Sequence, residues 1–288
     1  MNNLKYGFVG LGQMGGPMAE NIARKGYNLS VFDKAGTNER APKNTFAFDS
    51  INEIAGAVDI LFLSLPDANA SLEVVKKLAT TNSCTTSLVI ELSTIGVDAA
   101  KDAWQILNSS NITYIDAPVS GGQSGAKAGT ITIMWAGPRN ILEIHKKIMM
   151  SFCKNLFHVG NNAGQGQALK ILNNFLSGTA MAATSEAVAF GLSQGLDMKT
   201  LLNVINVSTG QNTATSDKFP NRILTGSFDA GFKTSLLTKD MKLYLESARV
   251  SKTPIDIANA VMELWNGCNN SLPNSDFTEI YNFISRKN

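Results

Sequence analysis

The sequence predicts an α/β domain built on a mainly parallel sheet, followed by an all-helical domain. Two observations predict this. Short apolar runs alternate with helical stretches through the first half of the 288 residues, and after about Gly160 the runs stop. The runs are also continuously apolar rather than alternating, which marks strands buried on both faces and therefore a parallel sheet covered by helices. A chain of this length holds about two domains. The patterning places them at residues 1–161 and 162–288.

Taken in order, residues 5–10 (KYGFVG) are short, apolar and bounded by glycine, and read as a buried strand. Residues 14–25 place Met14, Met18 and Ile22 at helical spacing, and Gly26 stops the run. Residues 28–33 (NLSVFD) form a second strand ending in an acid. Residues 59–65 stop at Pro66, and residues 87–92 lead into Ser93 and Thr94; helices at 70–78 and 97–107 intervene. Residues 112–116, 130–136 and 155–159 complete the strands. Ligands of such sheets lie beyond the carboxyl ends of the strands. Pro66, Ser93-Thr94 and the Asp116-Ala117-Pro118 turn fall there. Residues 165–195 are apolar, rich in alanine and free of proline, so they predict one long helix that needs partners all round. Residues 198–206, 236–251 and 255–266 read as further helices.

Between the first strand and its helix lies Gly10-Leu11-Gly12-Gln13-Met14-Gly15, a G-x-G-x-x-G. In that pattern the first glycine permits the tight turn, the second lets backbone approach a pyrophosphate, and the third lets helix and strand pack closely. The free N–H groups of the helix start face the anion. Asp33 lies 23 residues after Gly10, where a carboxylate accepts a hydrogen bond from a ribose 2′-OH. An ordinary glycine-rich turn also matches a bare G-x-G-x-x-G, and an acid can simply close a strand. Here strand, helix and acid agree, and they predict a Rossmann-like dinucleotide site with NAD as cofactor. Lys34 and Arg40 keep NADP possible, because a basic residue just after the strand can pair with a 2′-phosphate.

Composition narrows the remaining classes. Hydrophobic residues at 44% and charged residues at 17% describe a globular chain with ample core. A net charge of +2 without a basic run gives no footprint for nucleic acid. No apolar run reaches the ~18 residues of a membrane span. Cys84, Cys153 and Cys268 show neither CxxC nor metal-ligand spacing, so no metal is expected and the thiols read as reduced. The first strand begins within a few residues of Met1, and a cytoplasmic protein without a signal peptide is expected. His145 and His158 sit among apolar or basic neighbours and read as structural.

Three stretches carry candidate chemistry. Residues 115–129 (IDAPVSGGQSGAKAG) read either as a flexible surface loop or as a backbone nest, with the Ser120 hydroxyl beside Gly121 and Gly122, suited to a carboxylate. Residues 160–174 (GNNAGQGQALKILNN) place Lys170 inside the long helix with Asn174 at i+4 on the same face. Such a lysine is either snorkelling from a helix edge or a general acid made easier to deprotonate by its setting. Lys239 and Asp240, at a helix start, read by default as a solvated charged turn.

Together these stretches resemble the β-hydroxyacid dehydrogenase family, which includes 3-hydroxyisobutyrate dehydrogenase and tartronate semialdehyde reductase. The likeness covers nearly the whole chain in order. GLGQMGGPMAENIARKG resembles the family's cofactor motif, DAPVSGGQSGAKAGTITIM its substrate-binding signature, GQGQALKILNN its catalytic motif and KDMKL its distal cofactor contact. The resemblance implies that Lys170 is the catalytic lysine and that Asn174 helps hold the substrate. It implies that Ser120, Gly121 and Gly122 bind the carboxylate of a small substrate. It further implies that Leu65, Pro66 and Thr94 line the cofactor, that Lys239 lies near the nicotinamide, and that the protein pairs into homodimers or homotetramers. Gln211 stands where 3-hydroxyisobutyrate dehydrogenases tend to carry an arginine, and Trp135 is heavier than the usual residue there, so the hydroxyacid itself is left open. The expected reaction is interconversion of a small β-hydroxyacid and its semialdehyde. The alternatives are a reductase of another carbonyl, imine or sulfonate semialdehyde on the same scaffold, or a non-catalytic dinucleotide-binding scaffold; Lys170 weighs against the imine reductases and the scaffold, which commonly lack it.

Overall fold

The computed structural model describes residues 4–286. Packing divides the chain into two compact units, with the break between Lys170 and Ile171. The first unit contains β1 (Tyr6–Val9), α1 (Gly15–Arg24), β2 (Leu29–Phe32), β3 (Phe46–Ala47), α2 (Ile51–Ala55), β4 (Ile60–Leu63) and α3 (Ala68–Thr80). It continues with β5 (Leu88–Glu91), α4 (Val97–Asn108), β6 (Thr113–Asp116), β7 (Val119–Ser120), α5 (Gly122–Ala128), β8 (Ile131–Ala136), α6 (Arg139–Met149) and β9 (Cys153–Gly160), and it takes in the first turn of α7 (Gln165–Ser193).

The strand order is β3-β2-β1-β4-β5-β6-β8-β7, with β9 beside β8. Strands β3 to β6 run parallel in register, β8 is antiparallel to β6 and β7, and β9 is parallel to β8. The sheet is thus mixed and mostly parallel, as its continuous apolar runs require. All four residues of β4 and of β5 are buried. One face is covered by Met18, Ala19 and Ile22 of α1, Ala126 of α5, and Leu142, Ile148 and Met149 of α6. The other is covered by Ile54 of α2, Val74, Val75 and Leu78 of α3, and Ala100, Ala103 and Leu107 of α4. Chain order reverses between β1 and β4, so their carboxyl ends form a topological switch point, where open sheets of this type leave a crevice for a ligand.

The second unit holds α7 beyond Lys170, α8 (Met198–Ile205), a π-helix (Ala214–Ile223), α9 (Thr234–Val250), α10 (Asp256–Ser271), a 3-10 turn (Phe277–Glu279) and α11 (Ile280–Ser285). Its core closes on the fully buried Trp265 and Phe219. The Trp265 indole donates to the Gly178 carbonyl of α7 at 3.2 Å, and Phe175 stacks on Tyr244 of α9 with ring centres 4.2 Å apart.

The sequence-based boundary at 161/162 precedes α7, whereas packing assigns the first turn of that helix to the sheet unit. The reason lies in two residues. A Cβ on Gly166 would lie 2.7 Å from the Met134 carbonyl and 2.9 Å from that of Asp116, and Gln167 is hydrogen-bonded to Asp116. Residues 115–129 form no loop: they run through β7 into α5. Gly121 and Gly122 take positive φ (139° and 63°) at that strand-to-helix turn.

Candidate active site

The glycine loop follows β1 at the switch point. Gly10 has φ +94°, and a Cβ there would lie 2.2 Å from the Ser64 carbonyl. A Cβ on Gly15 would lie 1.9 Å from the Gly10 carbonyl. Neither position has room for any side chain. In front of Gly12, by contrast, nothing lies within 4 Å of the added atom. Leu11, Gln13 and Met14 fill the remaining positions of the turn. Helix α1 begins after Met14 with no side-chain cap and no acid in its first turn, so its own first turn supplies no anion to its amide dipoles. A turn packed tight on one side and open at Gly12, ending at an uncapped helix, fits the pyrophosphate of a dinucleotide.

Asp33, just beyond β2, reaches back to this turn. Its Oδ2 accepts the Leu11 N–H at 2.6 Å, its Oδ1 accepts the Ala35 N–H at 2.8 Å, and Arg40 Nε lies 3.8 Å from Oδ1. The carboxylate therefore shapes the glycine turn as well as presenting charge beside it. With about four lone-pair directions on a carboxylate, one or more remain for a hydroxyl donor.

Beyond β4, β5 and β6 a buried polar network joins the loops. Leu65 N–H, next to Pro66, donates to Ser93 Oγ at 2.7 Å, and Ser93 N–H donates to Glu91 Oε1 at 3.0 Å. Gln167 Nε2 donates to the Ser93 carbonyl at 3.0 Å and to Asp116 Oδ1 at 2.8 Å, while its Oε1 accepts the Ile95 and Gly96 N–H groups at 2.9 and 3.1 Å. Asp116 Oδ2 takes the Gly164 and Gln167 N–H groups at 2.9 and 3.0 Å. Burial pushes the Glu91 carboxyl up to about 7 and the Asp116 carboxyl up to about 6, the latter against the pull of its hydrogen bonds from Gln167 and Gly164. Burial likewise raises the Tyr114 phenol well above its ordinary value.

Ser120 closes β7 opposite Thr132 of β8, two residues after Pro118, whose ring carbon would lie 2.9 Å from a Gly166 Cβ. The substrate-signature strand and the first turn of α7 therefore pack together. Lys170 is buried one turn further along α7. In the second unit, Asn174 Nδ2 donates to Asp240 Oδ2 at 2.7 Å, and Lys239 Nζ lies 3.3 Å from Asp240 Oδ1. Asp240 is buried beneath Lys239, so this pair is no solvated turn.

Sequence reasoning placed Ser93 and Asp116 at the ligand-binding ends of the strands and singled out Asp240 beside Lys239, but gave them no role, and it missed Glu91 and Gln167 altogether. The signal was present: Glu91 and Asp116 are charged residues at the ends of apolar strands, and Gln167 is three residues from Lys170 on the same helix face. His158 Nε2 contacts the Gly137 carbonyl at 2.9 Å and burial lowers the His145 value, both consistent with structural roles. Among the described residues no group of three or more His, Cys, Asp or Glu could hold a metal ion. No described helix is long and apolar enough to cross a membrane.

The fold and the glycine turn define a class, proteins with a Rossmann-like dinucleotide-binding domain followed by a helical one. Comparison with known proteins narrows it. Residues 5–160 match the NAD binding domain of 6-phosphogluconate dehydrogenase, and residues 164–284 match the NAD-binding domain of NADP-dependent 3-hydroxyisobutyrate dehydrogenase. The chain is 32% identical to 2-(hydroxymethyl)glutarate dehydrogenase of Eubacterium barkeri, over 92% of this chain and 89% of that protein. It is 33% identical to a probable mitochondrial 3-hydroxyisobutyrate dehydrogenase of Dictyostelium discoideum, over 97% and 90%. Mycobacterium tuberculosis 3-hydroxyisobutyrate dehydrogenase with L-serine superposes with a TM-score of 0.91 at 25% identity, over 98% of this chain and 99% of that one. The chain belongs to the 3-hydroxyisobutyrate dehydrogenase family of NAD(P)-dependent β-hydroxyacid dehydrogenases.

Proposed function

We propose that the protein interconverts a small β-hydroxyacid and its semialdehyde with NAD, using Lys170 as the general acid and base. The observation that carries this reading is a buried lysine near the start of α7, one turn after Gly166, which packs against the β6–β7 segment leading to Ser120. A bound nicotinamide dinucleotide supplies the hydride acceptor in oxidation and the donor in reduction. In oxidation Lys170 Nζ takes the proton of the substrate hydroxyl; in reduction it returns that proton to the forming alkoxide oxygen. Residues 120–122 anchor the substrate carboxylate, with Asn174 orienting the hydroxyl-bearing carbon. Fixing the carboxylate fixes the distance from the reacting carbon to Lys170, which is where orientation contributes most to rate. Leu65, Pro66 and Thr94 line the cofactor, and Lys239 faces its nicotinamide end.

The relatives act, by name, on 3-hydroxyisobutyrate and 2-(hydroxymethyl)glutarate, and one was solved with L-serine. These share a hydroxymethyl group on the carbon that bears the carboxylate, and that unit defines the substrate class. NAD is preferred because Asp33 occupies the strand end. The protein works in the cytoplasm as a homodimer or homotetramer. The test is NADH production across 3-hydroxyisobutyrate, serine, glycerate, threonate, 4-hydroxybutyrate and sulfonate analogues. Turnover confined to acids with the hydroxymethyl unit is expected. Tight cofactor binding with no turnover on any of them would favour a non-catalytic scaffold.

A further inference from the structure

Gln167 is fully buried and satisfies every hydrogen-bonding direction its carboxamide has. Two of its partners, the Ser93 carbonyl and the Ile95 N–H, are the peptide groups on either side of Thr94. A third is Asp116, which also receives the Gln167 and Gly164 backbone amides and so holds the first turn of α7. Ser93 in turn receives the Leu65 N–H. One side chain therefore ties the ends of β5 and β6 to the first turn of α7, and Ser93 adds the end of β4. Starting a helix requires one capping acceptor, and Asp116 already provides it. The carboxamide's other bonds reach out to the loop that carries Thr94.

We propose that Gln167 is a positioning residue, whose carboxamide brackets Thr94 and locks the loop of residues 93–96 to the turn of α7 that carries Lys170. The cofactor-lining loop and the proton-transferring lysine are thereby held as one rigid piece. The proposal rests on the roles of Thr94 and Lys170 given above, and its two arms test them separately.

The experiment uses the full chain with Gln167→Met, which removes all four side-chain bonds at similar volume, and Gln167→Glu. The Glu variant keeps the acceptor for Ile95 and Gly96 but presents an acceptor where Asp116 and the Ser93 carbonyl need a donor. NADH affinity is read by fluorescence titration without substrate, and kcat on the best hydroxyacid of the panel is read across pH 6 to 8. In Gln167→Met, NADH affinity should weaken by about three- to tenfold and kcat should fall by about 10- to 100-fold, the scale of a misplacement near 1 Å. In Gln167→Glu, kcat relative to the native protein should recover severalfold as pH falls, because the protonated carboxyl regains a donor. The titratable groups around it are Asp116, to which it is bonded, Glu91 and Tyr114, which interact with Asp116, Lys101 of α4, whose side chain passes Gly164, and Lys170 three residues on along its own helix. Taking the ratio to the native protein cancels their own titration. A folded Gln167→Met with native NADH affinity and native kcat, whatever its melting temperature, overturns the proposal. So does a Gln167→Glu to native ratio that is flat with pH, and this second reading stands even where Gln167→Met fails to fold. Lys170→Ala separates the two readings: undiminished turnover there removes the lysine's role, while NADH affinity in Gln167→Met still decides whether the bracket holds Thr94.

Discussion

At the residue scale, the proposed chemistry turns on Lys170, Ser120 and Asp33. Replacing Lys170 with alanine removes the proton carrier but none of the glycine turn, so turnover should fall by about 10²–10⁴-fold while NAD affinity holds. Single-turnover rates beside a binding titration check it, and a variant above a tenth of the native rate would remove the lysine from the mechanism. Ser120→Ala deletes one of several donors in the segment proposed to bind the carboxylate. A loss of roughly 1.5–3 kcal/mol in acid binding is expected, seen in KM and absent from the Kd for NAD. Equal effects on both constants would place Ser120 with the cofactor instead. Asp33 has a double task. Its carboxylate binds the Leu11 and Ala35 amides, and on the proposed reading it also sets negative charge where a 2′-phosphate would sit. NAD should therefore exceed NADP by a factor on the order of 10² in kcat/KM. Arg40, within 3.8 Å of Asp33, is the residue that could turn to a phosphate and narrow that gap. Asp33→Asn should lower activity with both cofactors, because the Leu11 clamp is damaged, but lower it less with NADP. The ratio cancels the damage to the turn, so an unchanged ratio means that Asp33 does not face the ribose.

At the element scale, the ends of β5 and β6 bury two carboxyl groups whose values lie above the ordinary 4.5 and 3.8, at about 7 for Glu91 and about 6 for Asp116. The folded state therefore keeps these protons to higher pH than the unfolded chain does. Between roughly pH 4 and 7 the unfolded chain binds fewer protons, so stability falls as pH rises through that window. The Glu91 contribution is on the order of a few kcal/mol at its upper bound. Melting followed from pH 5 to 8 should show a declining temperature. Glu91→Gln, which keeps an acceptor for the Ser93 amide, should flatten the decline; an equally steep profile would assign it to other groups. These ends also show what the sequence leaves illegible. The strands themselves are legible because a continuous apolar run has few other uses. The two-residue strands β3 and β7 are too short for any period to appear, and glycine content disguised α5, since its helix follows a turn that needs positive φ. Gln167 showed only its place, three residues before Lys170; its role stayed illegible because a carboxamide's value lies in its partners, and those come from residues 93 to 116, far away in the chain.

At the scale of the whole molecule, the order of elements was legible from where the strand signal ends, and the family motifs fell in register along it. Packing across the surface was less so, because α7 looked apolar on every side and only coordinates show which side the chain itself covers. Among its residues, Leu172, Leu176 and Phe190 remain 38%, 61% and 68% exposed, and they share one face of the helix with the exposed Ala183 and Ala187. Val204 and Val207, at and just past the end of α8, are also exposed. Large apolar groups in a row on one face are what a homodimer interface leaves uncovered when a protomer is seen alone. We expect this face of α7 to meet a second copy of the chain, which makes the helical half the seat of assembly. A Phe190→Glu change would then bury a charge with no partner at the contact, at a cost of several kcal/mol per protomer. In a monomer it would sit harmlessly in water. Light scattering at micromolar concentration should report a dimer or larger for the native chain, and a smaller species for Leu176→Glu combined with Phe190→Glu. A native chain that is monomeric and fully active would show that nothing covers this stripe.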